Sequence, residues 1–494
     1  MLRIICENVL VSLDDVERVD FSTIDITSPE LEAHLKAVTP PFRRRIIGVT
    51  EIVAPIPQPE PEPEPEPIPS PVNATLLYDV PEGALVDENV FGFTLLHAGK
   101  TYYTPNMTPD GGATGGRMTF KWSRTFISWS GNVEKVQGVY DWSSIDKQAD
   151  YFAAHGIHWS LVLTPVAPSF YSVGLRGPAS TEAPYKSVLK AAYARYWAKG
   201  LRAHEICNEP ETDNWYGALG RKPAGALEIR RVARELSPWA RVASEAASEY
   251  FATSGNKVEI WASSSQSMAD ASSTTGLARV FNDPSAAANS QYGGTGFLNG
   301  SDGKGGVGVK WLDRFTFHGY PNPTHDGTLL HAHFLKAKAW LAAAGRPDLP
   351  MVVTEHGMLS ARDPNNGDKS NGQWREWKTD NPLTGKAPAV TAQEQMRWVL
   401  NAFAVSAIHK ARMIWYAWDE RYMGIFGFAN GPLGGSPTSQ LGWIPAHLEL
   451  EAKYKALREK LIGKRIFSLW KQTNGALVIL VGTTQAQSEL IILE

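Results

Sequence analysis

Cysteine is nearly absent: Cys6 and Cys207 are the only two in 494 residues, so no disulfide framework is indicated. A reducing compartment, or a fold indifferent to redox, fits that count. No stretch approaches the roughly 18 consecutive apolar residues that a membrane span needs. Long basic blocks are missing too. Arg43, Arg44 and Arg45 form the one tight cluster, and the formal net charge is −3, which argues against nucleic acid as a partner. The opening MLRIICENVLVSLDDVERVD sets acids directly behind a short apolar run and offers no small-residue cleavage site, which makes a poor secretory signal. The chain also lacks a His-Glu-x-x-His zinc pattern and a Gly-x-Ser-x-Gly nucleophile elbow. The glycine-rich stretch 288–309 has no Gly-Lys-Ser/Thr element, so it reads as mobile or irregular rather than as a phosphate cradle. No cofactor is implied. Aromatic residues, in contrast, are plentiful: 17 Trp, 16 Tyr and 18 Phe supply flat apolar faces, for packing or for stacking on sugars.

The clearest boundary is PIPQPEPEPEPEPIPSP, residues 55–71. Alternating Pro and Glu cannot bury a core, and fixed φ with charge repulsion favours an extended spacer on the order of 50 Å. Residues 1–54 form a small module with a strand at RIICENVLVSL. A short helix is expected at TSPELEAHLKAV, capped by Thr27 or Ser28 with Pro29 and Glu30 in its first turn. So small a core suits an adaptor or a docking module that self-associates or binds a partner.

From residue 72 the pattern alternates apolar strands with amphipathic helices. Strands are predicted at 90–98, 118–127, 157–165, 202–209, 257–265, 313–320, 351–357 and 411–418. Eight strands separated by helices predict an α/β fold, a (β/α)8 TIM barrel over residues 72–465. No Gly-x-Gly-x-x-Gly opens the first turn, which disfavours a dinucleotide fold. Residues 466–494 read as a short antiparallel extension with a turn at Asn474-Gly475, packed on the barrel.

Active groups of such a barrel sit at the C-terminal ends of its strands. Those ends carry His97, Arg124, Asn208, Glu209, His318, Tyr320, Glu355 and Trp418. Glu209 and Glu355 end the fourth and seventh strands, on opposite sides of the mouth, where two facing carboxylates equip a site to hydrolyse a glycosidic bond. Cys207, two residues before Glu209, is expected to point into the barrel as a small buried residue. Trp415 is expected to be structural.

Asn208-Glu209-Pro210, the Arg124 segment SRTFISWSGNVEKVQGVYDW, His318-Gly319-Tyr320, Thr354-Glu355 and Trp415/Trp418 together resemble clan A glycoside hydrolases over about residues 88–460. Family 39 is the most similar, with families 5 and 42 close behind. The resemblance implies a retaining β-glycosidase with Glu209 as acid/base and Glu355 as nucleophile. Asn208 would bond the sugar 2-hydroxyl and the nucleophile, Tyr320 would bond the nucleophile, and Arg124 would keep Glu355 ionised. An ordinary surface salt bridge is the alternative for Arg124, a satisfied core histidine for His318, and packing for Trp418. Trp215 and Tyr216 are either a sugar platform or loop anchors, and Trp374 and Trp377 lie in a long polar insertion after strand seven, where loops of this fold build the substrate cleft. His97 is a further substrate contact or a structural residue. The expected partner is a polysaccharide, cut internally, with a bacterial exopolysaccharide or capsule as one candidate. The module–spacer–barrel layout suits a depolymerase presented on a virion. A non-hydrolytic glycan-binding or structural protein on the same barrel is the alternative.

Overall fold

The structure is a computed structural model. It describes residues 2–11, 17–26, 42–51, 71–95, 119–171, 178–211, 225–265, 268, 277–320, 327–357, 392–416, 427–429, 439–442 and 445–493. Two compact units are present, 1–68 and 69–494.

In the first unit β1 (Leu2–Val11), β2 (Glu17–Ile26) and β3 (Phe42–Glu51) form an antiparallel sheet in the order β2-β1-β3. The strand expected at the N-terminus is β1, and two further strands flank it. The helix expected at 27–38 and most of the Pro-Glu spacer lie outside the described residues.

The second unit is a parallel barrel. Its strands are β5 (Phe91–Phe93), β6 (Trp122–Ser128), β7 (His158–Thr164), β8 (Leu201–Glu205), β9 (Glu259–Trp261), β10 (Phe315–His318), β11 (Met351–His356) and β12 (Arg412–Trp415). Hydrogen bonding runs in the order β10-β11-β12-β5-β6-β7-β8-β9. The parallel bridges Trp261↔Arg314 and Ser265↔Phe317 join the two ends of that order and close the circle. This is the expected (β/α)8 architecture, with each predicted strand in place. The crossovers include α1 (Ser143–Ala154), α2 (Pro178–Tyr196), α3 (Ala226–Ser254), α4 (Leu277–Asn282), α5 (Ala286–Gln291), α6 (Thr328–Ala343) and α7 (Ala392–Ile408). Strands covered on both faces can be apolar throughout, which is why they stand out in the sequence.

Inside the barrel, Trp122, Ala203, Trp261, Val352 and Ile414 pack as one apolar cluster. Arg124 and Glu205 follow two residues after Trp122 and Ala203, so alternation places a charged layer directly above this apolar floor. A much larger cluster joins the outer strand faces to the helices, and Cys207 belongs to it. Cys207 is fully buried, as expected of a small core residue, but it is not part of the interior cluster. The reason is local: β8 ends at Glu205, and by Asn208 the chain has slipped one place out of strict alternation, so Asn208 shares the Arg124 side.

The glycine-rich stretch 288–309 is irregular for most of its length, one of the two expected readings, and part of it packs against α3. Arg230 of α3 donates to the carbonyls of Val280, Asp283 and Gly294. A Cβ on Gly300 would meet Ser237 Oγ of the same helix at 2.2 Å. Gly296, Gly300 and Gly308 serve close approach here, whereas Gly303 and Gly305, at φ of +80° and +88°, meet open space.

After β12 come the pair β13 (Gly427–Ala429) and β14 (Ser439–Gly442), then α8 (Pro445–Leu461). The chain ends in β15 (Arg465–Gln472), β16 (Leu477–Gly482) and β17 (Ser488–Leu493). Gly475 makes the expected turn, with φ of +86°. These strands do not stand alone: β4 (Ala74–Leu85), which precedes the barrel, pairs with β15 in a sheet ordered β17-β16-β15-β4. Ile466, Leu469, Leu477 and Ile479 bury into the same core as α7.

Candidate active site

Arg124 organises the centre. It is fully buried on β6, and a lone guanidinium there would be strongly destabilising. Two carboxylates answer it. Glu205, fully buried on β8, takes a two-pronged contact: Arg124 Nε donates to Oε2 at 2.6 Å and Nη2 donates to Oε1. Nη1 donates to Glu355 Oε1 at the end of β11. Nη2 also donates to Asn208 Oδ1 at 2.8 Å. Burial opposes the Arg124 charge, yet Glu205 and Glu355 outweigh it and hold the guanidinium above its ordinary range.

Both oxygens of Glu355 therefore accept hydrogen bonds, Oε1 from Arg124 and Oε2 from the Tyr320 hydroxyl at 2.6 Å. That is the surrounding of a carboxylate, which accepts only. Burial, then the Glu355 charge, raises the Tyr320 hydroxyl far above its usual value, so it remains a donor.

Glu209 is less enclosed, with its side chain 18% exposed against 8% for Glu355. Its backbone N–H donates to the Ser264 carbonyl at 2.8 Å, and its φ is +40°, a region that residues with a Cβ rarely occupy. His318 stands between the two acids, with Nδ1 2.9 Å from Glu209 Oε1 and 3.5 Å from Glu355 Oε2. Burial, helped by Arg124 and opposed by Glu355, lowers this histidine to about 3, so the ring is neutral. Its Nε2 is buried and has no hydrogen-bond partner among the described residues. The tautomer with the proton on Nδ1 leaves an unpaired acceptor there instead of an orphaned N–H, and it donates to Glu209.

One oxygen of Glu209, one of Glu355 and a His318 nitrogen all lie within 4.8 Å of one another. Such a trio could in principle surround a cation. The Arg124 guanidinium donating into Glu355 works against that use, because any ion held there would face a fixed positive charge.

Six residues read from the sequence thus meet in one place: Arg124, Asn208, Glu209, His318, Tyr320 and Glu355. One expected contact is different. Asn208 bonds Arg124, not Glu355, because the guanidinium lies between them; Oδ1 is used, and Nδ2 remains as its donor. His97, Trp215, Tyr216, Trp374, Trp377 and Trp418 lie outside the described residues. Trp415 is fully buried, its ring edge-on to His356 at 5.4 Å.

Two residues were not read from the sequence. Glu205 is the principal partner of Arg124, and its signal was a lone acid inside a buried parallel strand. Phe126 follows Arg124 by two, keeps the inward side of β6 and is 38% exposed, with the guanidinium carbon 4.4 Å from its ring centre. The segment after β6 serves as scaffold. Glu134, fully buried, accepts from Trp129 Nε1 at 2.6 Å, from the Gly138 N–H at 2.6 Å and from the Tyr171 hydroxyl.

No protein-family model and no curated protein matches the chain. Solved structures similar to it include a family 39 glycoside hydrolase from the gut symbiont Bacteroides cellulosilyticus WH2, at 13% identity and a TM-score of 0.47, covering 100% of this chain and 84% of that one. A beta-glucosidase from Exiguobacterium marinum is similar at 13% identity and a TM-score of 0.45, over 68% of this chain and 84% of that one. A glycoside hydrolase family 5 enzyme from Prevotella bryantii B14 is similar at 12% identity and a TM-score of 0.36, over 77% of this chain and 100% of that one. At these values the likeness carries no weight for chemistry, which is read from the side chains alone.

Proposed function

We propose that the barrel is a retaining β-glycosidase that cleaves a polysaccharide internally, with Glu355 as nucleophile and Glu209 as acid/base. The observation that carries this reading is the approach of the two carboxylates within 4.8 Å across the barrel mouth. Retaining enzymes hold their acids about 5–5.5 Å apart, and inverting ones leave roughly 6.5–9.5 Å for a water.

The surroundings of the two acids suit unequal roles. Glu355, bonded by Arg124 and Tyr320, is fixed and charged for attack on the anomeric carbon. Glu209 accepts from the neutral His318 through Oε1 and carries the proton for the leaving oxygen on its other oxygen. When the sugar is esterified to Glu355, that negative charge is gone, and Glu209 can ionise and take a proton from water. Asn208 Nδ2 is a donor for the sugar 2-hydroxyl, and Phe126 is an apolar face for the ring. The long segments after the strands, with Trp215, Tyr216, Trp374, Trp377, Trp418 and His97, are assigned to binding a chain. Residues 1–54 are assigned to docking on a larger particle or surface.

The test is incubation of the full chain with bacterial exopolysaccharides, plant β-glycans and aryl β-glycosides. Products are sized by mass, and the first-formed anomer is read by NMR. We expect an oligosaccharide ladder with retained configuration, and loss of turnover by about 10⁴-fold or more in Glu355→Gln with glycan binding kept. Monosaccharide alone would overturn internal cleavage, an inverted anomer the double displacement, and an active Glu355→Gln the assignment itself.

A further inference from the structure

The opposite end of the barrel holds a second feature, unrelated to the carboxylates. A pocket of about 280 Å³ opens where the N-terminal ends of the strands meet the β4–β15 edge. Arg314 precedes β10, Lys410 and Arg412 lead into β12, Arg465 begins β15, and Asp87 precedes β5; all five line it. One further acid, Glu259 on β9, pairs with Arg314 at 3.0 Å and with Arg412. Four cations therefore face two carboxylates.

The surplus is not used elsewhere. Lys410 has no carboxylate partner among the described residues. Arg465 is held by the carbonyls of Glu82 and Gly83 at 3.0 and 3.1 Å, which fix its fork without neutralising it. Arg412 is held in place by the Trp122 ring, 4.0 Å from its guanidinium carbon, with the Trp261 ring at 5.8 Å. A positive field at this end is also felt by His158, which burial and then Lys121, Arg202 and Arg412 lower to about 4. Guanidinium forks and an ammonium around one pocket match an acceptor-only group with several oxygens. The volume leaves room for such a group with several waters.

We propose that this basal pocket is a binding site for a tetrahedral oxyanion, a phosphate or sulfate group, free or carried on a glycan. Two substitutions test it without threatening the fold. Lys410 has φ of +56°, so Lys410→Gly removes the charge and relieves the backbone. Asp87 accepts from the Asn89 N–H at 2.9 Å, and Asn caps as well as Asp, so Asp87→Asn removes an opposing charge while keeping the turn.

The experiment is calorimetric titration of the full chain with inorganic phosphate and with inorganic sulfate, at low and high NaCl. Expected is one saturable site per chain that weakens with salt, with affinity about fivefold lower in Lys410→Gly and about fivefold higher in Asp87→Asn. Dextran sulfate is then added against bound sulfate, with dextran as control. Displacement by the sulfated polymer alone supports a glycan source, and no displacement supports the free ion. Absence of saturable binding, or binding that neither substitution moves, would overturn the site.

Discussion

Glu209 holds its position at a backbone cost. With φ of +40° its Cβ is crowded against its own backbone, and the Ser264 carbonyl holds it there through the N–H. Strain of this kind is worth about 1–3 kcal/mol and survives only where the surroundings impose it. Alanine is ordinarily the more stable choice over glycine, by about 0.5–1 kcal/mol, because glycine loses more freedom on folding. At position 209 the order should reverse: Glu209→Gly should be more stable than Glu209→Ala by about 1 kcal/mol in urea unfolding. Both should slow cleavage of alkyl glycosides by about 10²–10⁴-fold, while nitrophenyl glycosides, which leave without a proton, lose less. An alanine variant as stable as the glycine one would show that the strain is not there. At this scale the sequence was readable wherever position implies role. Glu355 lies at the end of β11, and Tyr320 and Glu209 follow β10 and β8 by two and four residues. Arg124 sits inside β6 rather than at its end; all four belong to strands that read clearly. Glu205 lies deeper, and nothing in RAHEICNE says that it is the stronger partner of Arg124, because that pairing depends on two strands 81 residues apart in sequence.

Elements were legible in proportion to how fully they are buried. The eight barrel strands are covered on both faces and stand out as apolar runs, whereas β4 was missed. Its sequence, ATLLYDVPEGAL, contains Pro and Gly, which argue against a central strand. The structure shows why they are tolerated: β4 is an edge strand, and its pairing with β15 shifts between Asp79↔Ser468 and Ala84↔Ile466, so Pro81 falls in the irregular stretch. A similar constraint works near the site. Gly357 follows β11 two residues after Glu355, and a Cβ there would lie 1.9 Å from the Tyr416 carbonyl oxygen beyond β12. Gly357→Ala must push the two strand ends apart, at a cost of about 1–3 kcal/mol. It should also displace Glu355 and lower kcat by about tenfold or more, with KM less affected. Gly345→Ala is the control: φ is +78°, but nothing lies within 4 Å of the added carbon. It should lose stability and keep kcat. Equal kcat in the two variants would mean that the β11–β12 contact does not position Glu355.

For the whole molecule, the consequence of so many buried histidines is a stability that depends on pH well above the range of the carboxylates. Burial lowers His204 and His318 to about 3 and His356 to about 4, from an ordinary 6.5. As pH falls through 6.5 the unfolded chain takes up these protons, and the folded chain does not until pH 3 to 4. The unfolded state therefore binds more protons across that window, and folding stability drops as pH falls. Each histidine contributes about 2 kcal/mol of loss between pH 7 and 5, so the three together approach about 6 kcal/mol, a large share of an ordinary domain's stability. The ion-paired carboxylates act later. Burial opposes the Glu259 charge, but Arg412 and Arg314 together hold it down at about 2, so its own loss begins only below its ordinary 4.5. Urea titrations followed by tryptophan fluorescence at pH 7 and 5 should therefore show a lower midpoint at pH 5 with little change in slope. His356→Gln should remove about 2 kcal/mol of that difference, less than a third of it, because burial lowers His158, His331 and His409 as well. Midpoints that coincide at the two pH values would mean that these rings already exchange protons with solvent in the folded barrel. His318 would then be free to carry a charge between Glu209 and Glu355, and the division of roles between the two acids would have to be drawn again.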